Sequence, residues 1–172
     1  MGKFHSRQFP GESETYRQAR DELMEAEPKL RRQIEDVAAL RRRLPKGGKI
    51  KENYVFEEGA ADFSDRTTVK QTRFSELFHP GKNSLVIYSF MYAPDWEKPC
   101  PSCSSILDRL NGIAPHVTQR ANFAVTAKAP IQSVRDWARG RDWKNFRLLS
   151  SGKSSYNSDY GAETAESGQI PL

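Results

Sequence analysis

Cysteine is scarce in this chain. Among 172 residues only Cys100 and Cys103 carry a thiol, three positions apart in the stretch EKPCPSC. Histidine is nearly as rare: His5, His79 and His116 stand alone, with no two at ligand spacing. A closed zinc site takes about four protein ligands, so no metal and no other cofactor is expected within one chain. Long apolar runs are also absent. LVIYSFMY, residues 85–92, is far shorter than the ~20 residues a membrane-spanning helix needs. No hydrophobic leader with a small-residue cleavage site opens the sequence, so a cytoplasmic location and no membrane partner are expected. A reducing compartment disfavours structural disulfides. The CxxC then reads as a redox dithiol, as part of a metal site shared between two chains, or as two buried small side chains.

Charge of one sign is scarce in each half of the N-terminal region. Residues 14–27 hold five acids against Arg17 and Arg20, and residues 28–51 hold nine cations against Glu35 and Asp36. Clustered cations can release counterions from a phosphate backbone. Here no interleaved aromatics or base-reading motif accompanies them, so no nucleic-acid partner is expected. Acids near the start and bases near the end of one helix complement its dipole instead.

That helix is expected over residues 13–46, after an N-terminal tail of residues 1–12. Tyr16, Leu23, Leu30, Val37 and Leu44 recur every seventh residue, with Ala19, Ala26 and Leu40 at the complementary offset. Ser13 is a suitable N-cap, and Pro45 with Gly47-Gly48 ends the pattern. Pro28 removes a backbone donor and crowds the preceding turn, so a kink or break is expected near Ala26–Pro28. A seam this narrow must dock on something, and a homodimer through residues 14–44 is expected, the acidic front of one arm facing the basic rear of another.

The remainder, residues 50–172, alternates strand and helix patterns. Tyr54-Val55-Phe56 reads as a short strand and Phe74–Phe78 as a helical turn. The unbroken run at 85–92 reads as a strand buried on both faces in the middle of a parallel sheet. A helix follows, with Ile106, Leu107, Leu110 and Ile113 on one face until Pro115. NFAVTA (122–127) is a second strand, a helix closes at Gly140, and FRLL (146–149) is a third strand. Residues 150–168, rich in Ser and Gly, read as a flexible loop. The alternation predicts an α/β domain with a largely parallel central sheet and flanking helices.

The CxxC lies between a strand end and a helix start, where open α/β sheets place their active sites. Unpaired N–H groups and the dipole at a helix N-terminus stabilise an anion, so Cys100 is expected to be the more acidic thiol, with help from Lys98. Cys103, one turn inside, is placed to resolve a mixed disulfide formed at Cys100.

Three segments, FPGESETYRQARDELMEAEPKLRRQIEDVAALRRRLPKGG, LVIYSFMYAPDWEKPCPSCSSILDRLNGIAPHVTQRANFAV and KAPIQSVRDWARGRDWKNFRLLSS, resemble the domain-of-unknown-function family 899. Its members are thioredoxin-like proteins labelled predicted dithiol–disulfide oxidoreductases. The resemblance spans nearly the whole chain. It implies a thioredoxin-like fold of the peroxiredoxin-like variant, and it matches Cys100 and Cys103 to the redox pair. Trp96 is similar to the aromatic residue that precedes a thioredoxin motif, and Pro101 resembles the glutaredoxin residue. The peroxidatic signature is absent, since Pro94 is six residues before Cys100 and Glu97 occupies the threonine position. The cis-proline that faces the CxxC in such folds matches Pro171 in GQIPL. The hairpin and helix that should follow it are not in the sequence, so the C-terminal part of the fold is expected to be missing. The implied function is thiol–disulfide exchange on a disulfide-containing protein or small thiol, with Cys100 attacking and Cys103 resolving. The alternative is a non-catalytic interaction module that dimerises through the arm.

Overall fold

The structure, a computed structural model, describes residues 3–4 and 6–163. The chain divides into two compact units, residues 1–49 and 50–172.

The first unit is built on α1 (Glu14–Arg43), capped by Ser13, whose hydroxyl accepts the Tyr16 N–H at 3.1 Å. Arg17 is the buried residue of this helix; it pairs with Glu12 and donates to the Arg7 carbonyl. The Arg20 guanidinium sits 5.5 Å from the centre of the Phe9 ring. Residues 7–12, expected as a plain tail, therefore fold back on the first turns. The helix also runs through Pro28 without the expected break. A proline removes one donor, and 30 residues of otherwise regular helix tolerate that single loss. Its apolar seam faces outward within the unit: Leu23, Leu30 and Leu44 are 57%, 58% and 70% exposed.

The second unit contains β1 (Val55–Gly59), β2 (Val69–Arg73), a 3-10 turn (Phe74–Leu77), β3 (Leu85–Phe90), α2 (Pro101–Val117), β4 (Asn122–Ala127), α3 (Ile131–Gly140), β5 (Arg147–Ser150) and α4 (Tyr156–Asp159). The order from β3 onward (strand, CxxC, helix, strand, helix, strand) is the one the thioredoxin-like resemblance implies. The sheet runs β2-β1-β5-β4-β3. Strands β3, β4 and β5 are parallel, while β1 is antiparallel to both β2 and β5. The sheet is therefore mixed, and parallel only where α2 and α3 supply the crossovers.

Two apolar layers cover its faces. Phe90, Leu107, Val125, Val134, Trp143 and Leu148 belong to the larger one, under α2 and α3. Tyr54, Phe56, Leu77, Leu149 and Tyr156 form the smaller one on the other face. Strand β4 lies between them and is buried at every position. Strand β3 departs from expectation. Among the described residues it is an edge strand, with Val86 47% exposed. Its run is apolar because Tyr88 and Phe90 feed one layer and Leu85 and Ile87 the other. Two apolar faces do not make a strand central.

Two further expectations are corrected. Helix α2 continues through Pro115 to Val117, and the Asn111 carbonyl that Pro115 cannot reach accepts the Asn145 side-chain amide at 2.9 Å. Residues 150–163 are not a plain loop. Ser151 is fully buried, its single hydroxyl proton shared between Asn157 Oδ1 at 2.9 Å and the Ala127 carbonyl at 3.1 Å. Tyr156 in α4 packs edge-on against Tyr54 and Phe56. Serine reads as loop in a sequence, yet here its hydroxyls satisfy buried carbonyls.

Candidate active site

The segment leaving β3 closes on itself before α2 begins. The Cys100 N–H donates to the Met91 carbonyl at 2.9 Å, which fixes Cys100 at the mouth of the helix next to the strand end. Cys100 is the N-cap, with φ −54° and ψ 123°, and Pro101 occupies the first helical position. Proline suits that place because its φ is already helical and no intrahelical donor is needed there.

The amides after Pro101 are free to turn toward the sulfur. The Cys103 amide and thiol and the Ser102 amide and hydroxyl, gathered at this helix start, hold the Cys100 thiol below its ordinary value against the opposing effect of burial. A thiolate is what attacks a disulfide, so this is activation by geometry. Both cysteines are free thiols; Cys100 is half-buried, and Cys103, 8% exposed, packs into the larger apolar layer.

Helix α3 braces this turn from outside. Ser104 Oγ donates to the Cys100 carbonyl at 3.0 Å and accepts Trp137 Nε1–H at 3.1 Å. From β3, burial raises Tyr88 well above its ordinary value, and the neighbouring Cys103 and Cys100 add to the rise. Tyr88 and Ser104 were not singled out from the sequence. Tyr88 sits inside an apolar run and reads as core, and a serine in a helix carries no signal until its partner is known.

The residues expected to support the pair are placed unevenly. Pro101 begins α2, as required. Trp96 lies in the connection between β3 and α2, 38% exposed, its N–H donating to the Ala93 carbonyl at 3.2 Å. Lys98 is exposed and is not among the leading contributions to the lowering of Cys100, which come from amides, a hydroxyl and a thiol. Pro171 lies outside the described residues.

Comparison with protein families matches residues 6–170 to the bacterial proteins of unknown function grouped as DUF899. The chain belongs to this family. No curated protein matches the DUF899 chain. Among solved structures it is similar to an exposed lipoprotein thioredoxin from Streptococcus pneumoniae strain TIGR4, at 21% identity over 69% of this chain and 86% of that one, with a TM-score of 0.41. Among the described residues of the DUF899 protein, no three His, Cys, Asp or Glu side chains converge as a metal site. No helix among them is long and apolar enough to cross a membrane.

Proposed function

We propose that this DUF899 protein is a thiol–disulfide oxidoreductase in which Cys100 attacks and Cys103 resolves. The observation that carries the reading is Cys100 at the N-cap of α2, half-buried and with its thiol held below the ordinary value, and the second thiol buried one turn further in. The Cys100 thiolate forms a bond to one sulfur of a substrate disulfide, and the other substrate sulfur leaves as a thiolate that takes up a proton. Cys103 then gives up its proton and bonds to Cys100 Sγ, releasing the first substrate sulfur. Two electrons and two protons pass to the substrate, and an external thiol or dithiol returns the protein to its reduced form. A disulfide-containing protein or a small thiol compound fits as partner, and a reducing cytoplasm suits the cycle. Trp96 beside the mouth would contact the incoming substrate.

The test is steady-state reduction of a disulfide-linked protein with dithiothreitol as electron donor. Turnover above the dithiothreitol blank by wild type, and none by Cys100→Ser, is expected. Equal rates with and without the protein would remove the reading.

A second reading concerns the arm. The outward-facing leucines of α1, with its acidic front and basic rear, favour antiparallel self-association through residues 14–44. In that role the arm brings two copies together whether or not the thiols turn over.

A further inference from the structure

At the end of the sheet remote from the cysteines, where β4 and β5 begin and β1 ends, lies a cavity of about 490 Å³. Small-ligand pockets commonly run from about 300 to 1,000 Å³. Its apolar walls come from Phe63, Leu77, Phe123 and Phe146. Its charge is one-sided: Lys70, Lys82, Arg135, Lys144 and Arg147 line it against the single carboxylate of Glu58.

That positive charge is only partly matched by carboxylates. Arg147 makes two bonds to Glu58, at 2.8 and 2.6 Å, and Lys70 reaches the same carboxylate at 3.4 Å, so two cations share one acid. Lys144 is matched by Asp142 at 3.1 Å. Lys82 spends its ammonium on the Thr118 carbonyl. Arg135, 6% exposed, is held by the carbonyls of Ala60, Asp62 and Asp65 at 2.8, 2.9 and 3.2 Å. Asp62 and Asp65 lie near it, but their carboxylates accept from Ser64, Thr67 and Thr68 in their own turn. Burial and the neighbouring Arg139 lower the Arg135 pKa, and Asp65, Glu58 and Asp62 only partly offset them. A low-dielectric cleft lined by one sign of charge concentrates ions of the other.

We propose that this cavity binds a small organic dianion, a phosphate monoester with an apolar body. The phosphate would sit by Lys82 and Arg135, and the organic group against Phe63 and Phe146. The surplus of charge calls for more than one negative charge on the ligand, which separates a phosphate monoester from a simple carboxylate, and the aromatic walls separate it from inorganic phosphate. The site is independent of the thiol chemistry at the other end of the strands.

Calorimetric titration of the full chain with phenyl phosphate tests the proposal, with inorganic phosphate, benzoate and phenol as comparisons. One-to-one binding of phenyl phosphate, tighter than any of the three, is expected. It should weaken as salt is raised. Losing one charged hydrogen bond costs about tenfold in affinity, so Lys82→Gln should bind that much more weakly while Lys82→Arg stays close to wild type. Cys100→Ser, far from the cavity, should bind as wild type does. No binding of phenyl phosphate, equal binding by Lys82→Gln, or benzoate and phenol binding as tightly as phenyl phosphate would each overturn it. If Lys82→Gln does not fold, the wild-type chain decides: binding of phenyl phosphate that does not weaken as salt is raised would overturn the proposal.

Discussion

Cys100 caps the helix in whose first turn Cys103 lies, so the turn that separates the two thiols also lowers the pKa of the first. The Cys103 thiol adds to that lowering, which gives Cys103→Ala a direction. Alkylation rate against pH should show an inflection for Cys100 below that of an ordinary thiol, moving upward in Cys103→Ala and less in Cys103→Ser, which keeps a hydroxyl donor. Because the folded value of Cys100 is depressed, its ionisation stabilises the fold above the unfolded thiol's pKa. That stability is lost as pH falls through the folded value. The difference in stability between wild type and Cys100→Ser should narrow accordingly on acidification.

Of the two thiols, Cys103 acts the more strongly on the Tyr88 hydroxyl. Tyr88→Phe should leave the initial attack on a disulfide unchanged and slow the resolving step, about 2- to 10-fold for one neutral hydrogen bond. Rapid-quench measurement of mixed-disulfide lifetime reads this directly. A change in the first step with the second unaltered would assign the tyrosine elsewhere.

Glu58 and Arg147 tie β1 to β5. Burial pushes the Glu58 carboxyl up, but bonds from Arg147 and Thr72 and the charges of Arg147 and Lys70 outweigh it, so it is held below the usual range. Arg147→Ala leaves that carboxylate buried with only Thr72 and Lys70, and should cost about 3 kcal/mol, the low side of what orphaning a buried charge costs. Since the folded value is depressed, the Glu58 contribution is present above the unfolded carboxylate pKa and lost as pH falls through the folded one. Urea unfolding at neutral and acidic pH should show the Arg147→Ala penalty shrinking in acid.

The arm offers an oligomeric-state test in the intact chain. Leu30→Glu with Val37→Glu places charge in the exposed seam of α1 without touching the second unit. If the arms pair, sedimentation equilibrium should find wild type shifted toward dimer and the double variant monomeric. Identical sedimentation of the two would place any dimer interface elsewhere.

What could be read from the sequence followed from how strongly each signal depends on local chemistry. The seven-residue seam, the Ser13 cap, the CxxC at a helix start and NFAVTA as a strand depend on spacing, and the structure has the corresponding elements. Strand β2, VKQTR, gave no signal because only Thr72 faces inward, and an edge strand needs no alternation. The edge position of β3 was hidden for the opposite reason, since apolar layers on both faces mimic a central strand. Pro28 reads as a kink or break and Pro115 as a stop, but whether a helix stops depends on partners for the freed carbonyl, such as Asn145, that lie far away in sequence. Tyr88 and Ser104 became visible only when the sheet and α3 met the CxxC turn.

The central claim, that Cys100 attacks and Cys103 resolves, is tested most directly by trapping. Cys103→Ser and Cys100→Ser are each incubated with an oxidised protein substrate, and adducts are resolved on a non-reducing gel. The account predicts a mixed disulfide that accumulates with Cys103→Ser, disappears on reduction, and is absent with Cys100→Ser. Equal trapping by both variants, or trapping by Cys100→Ser alone, would contradict it.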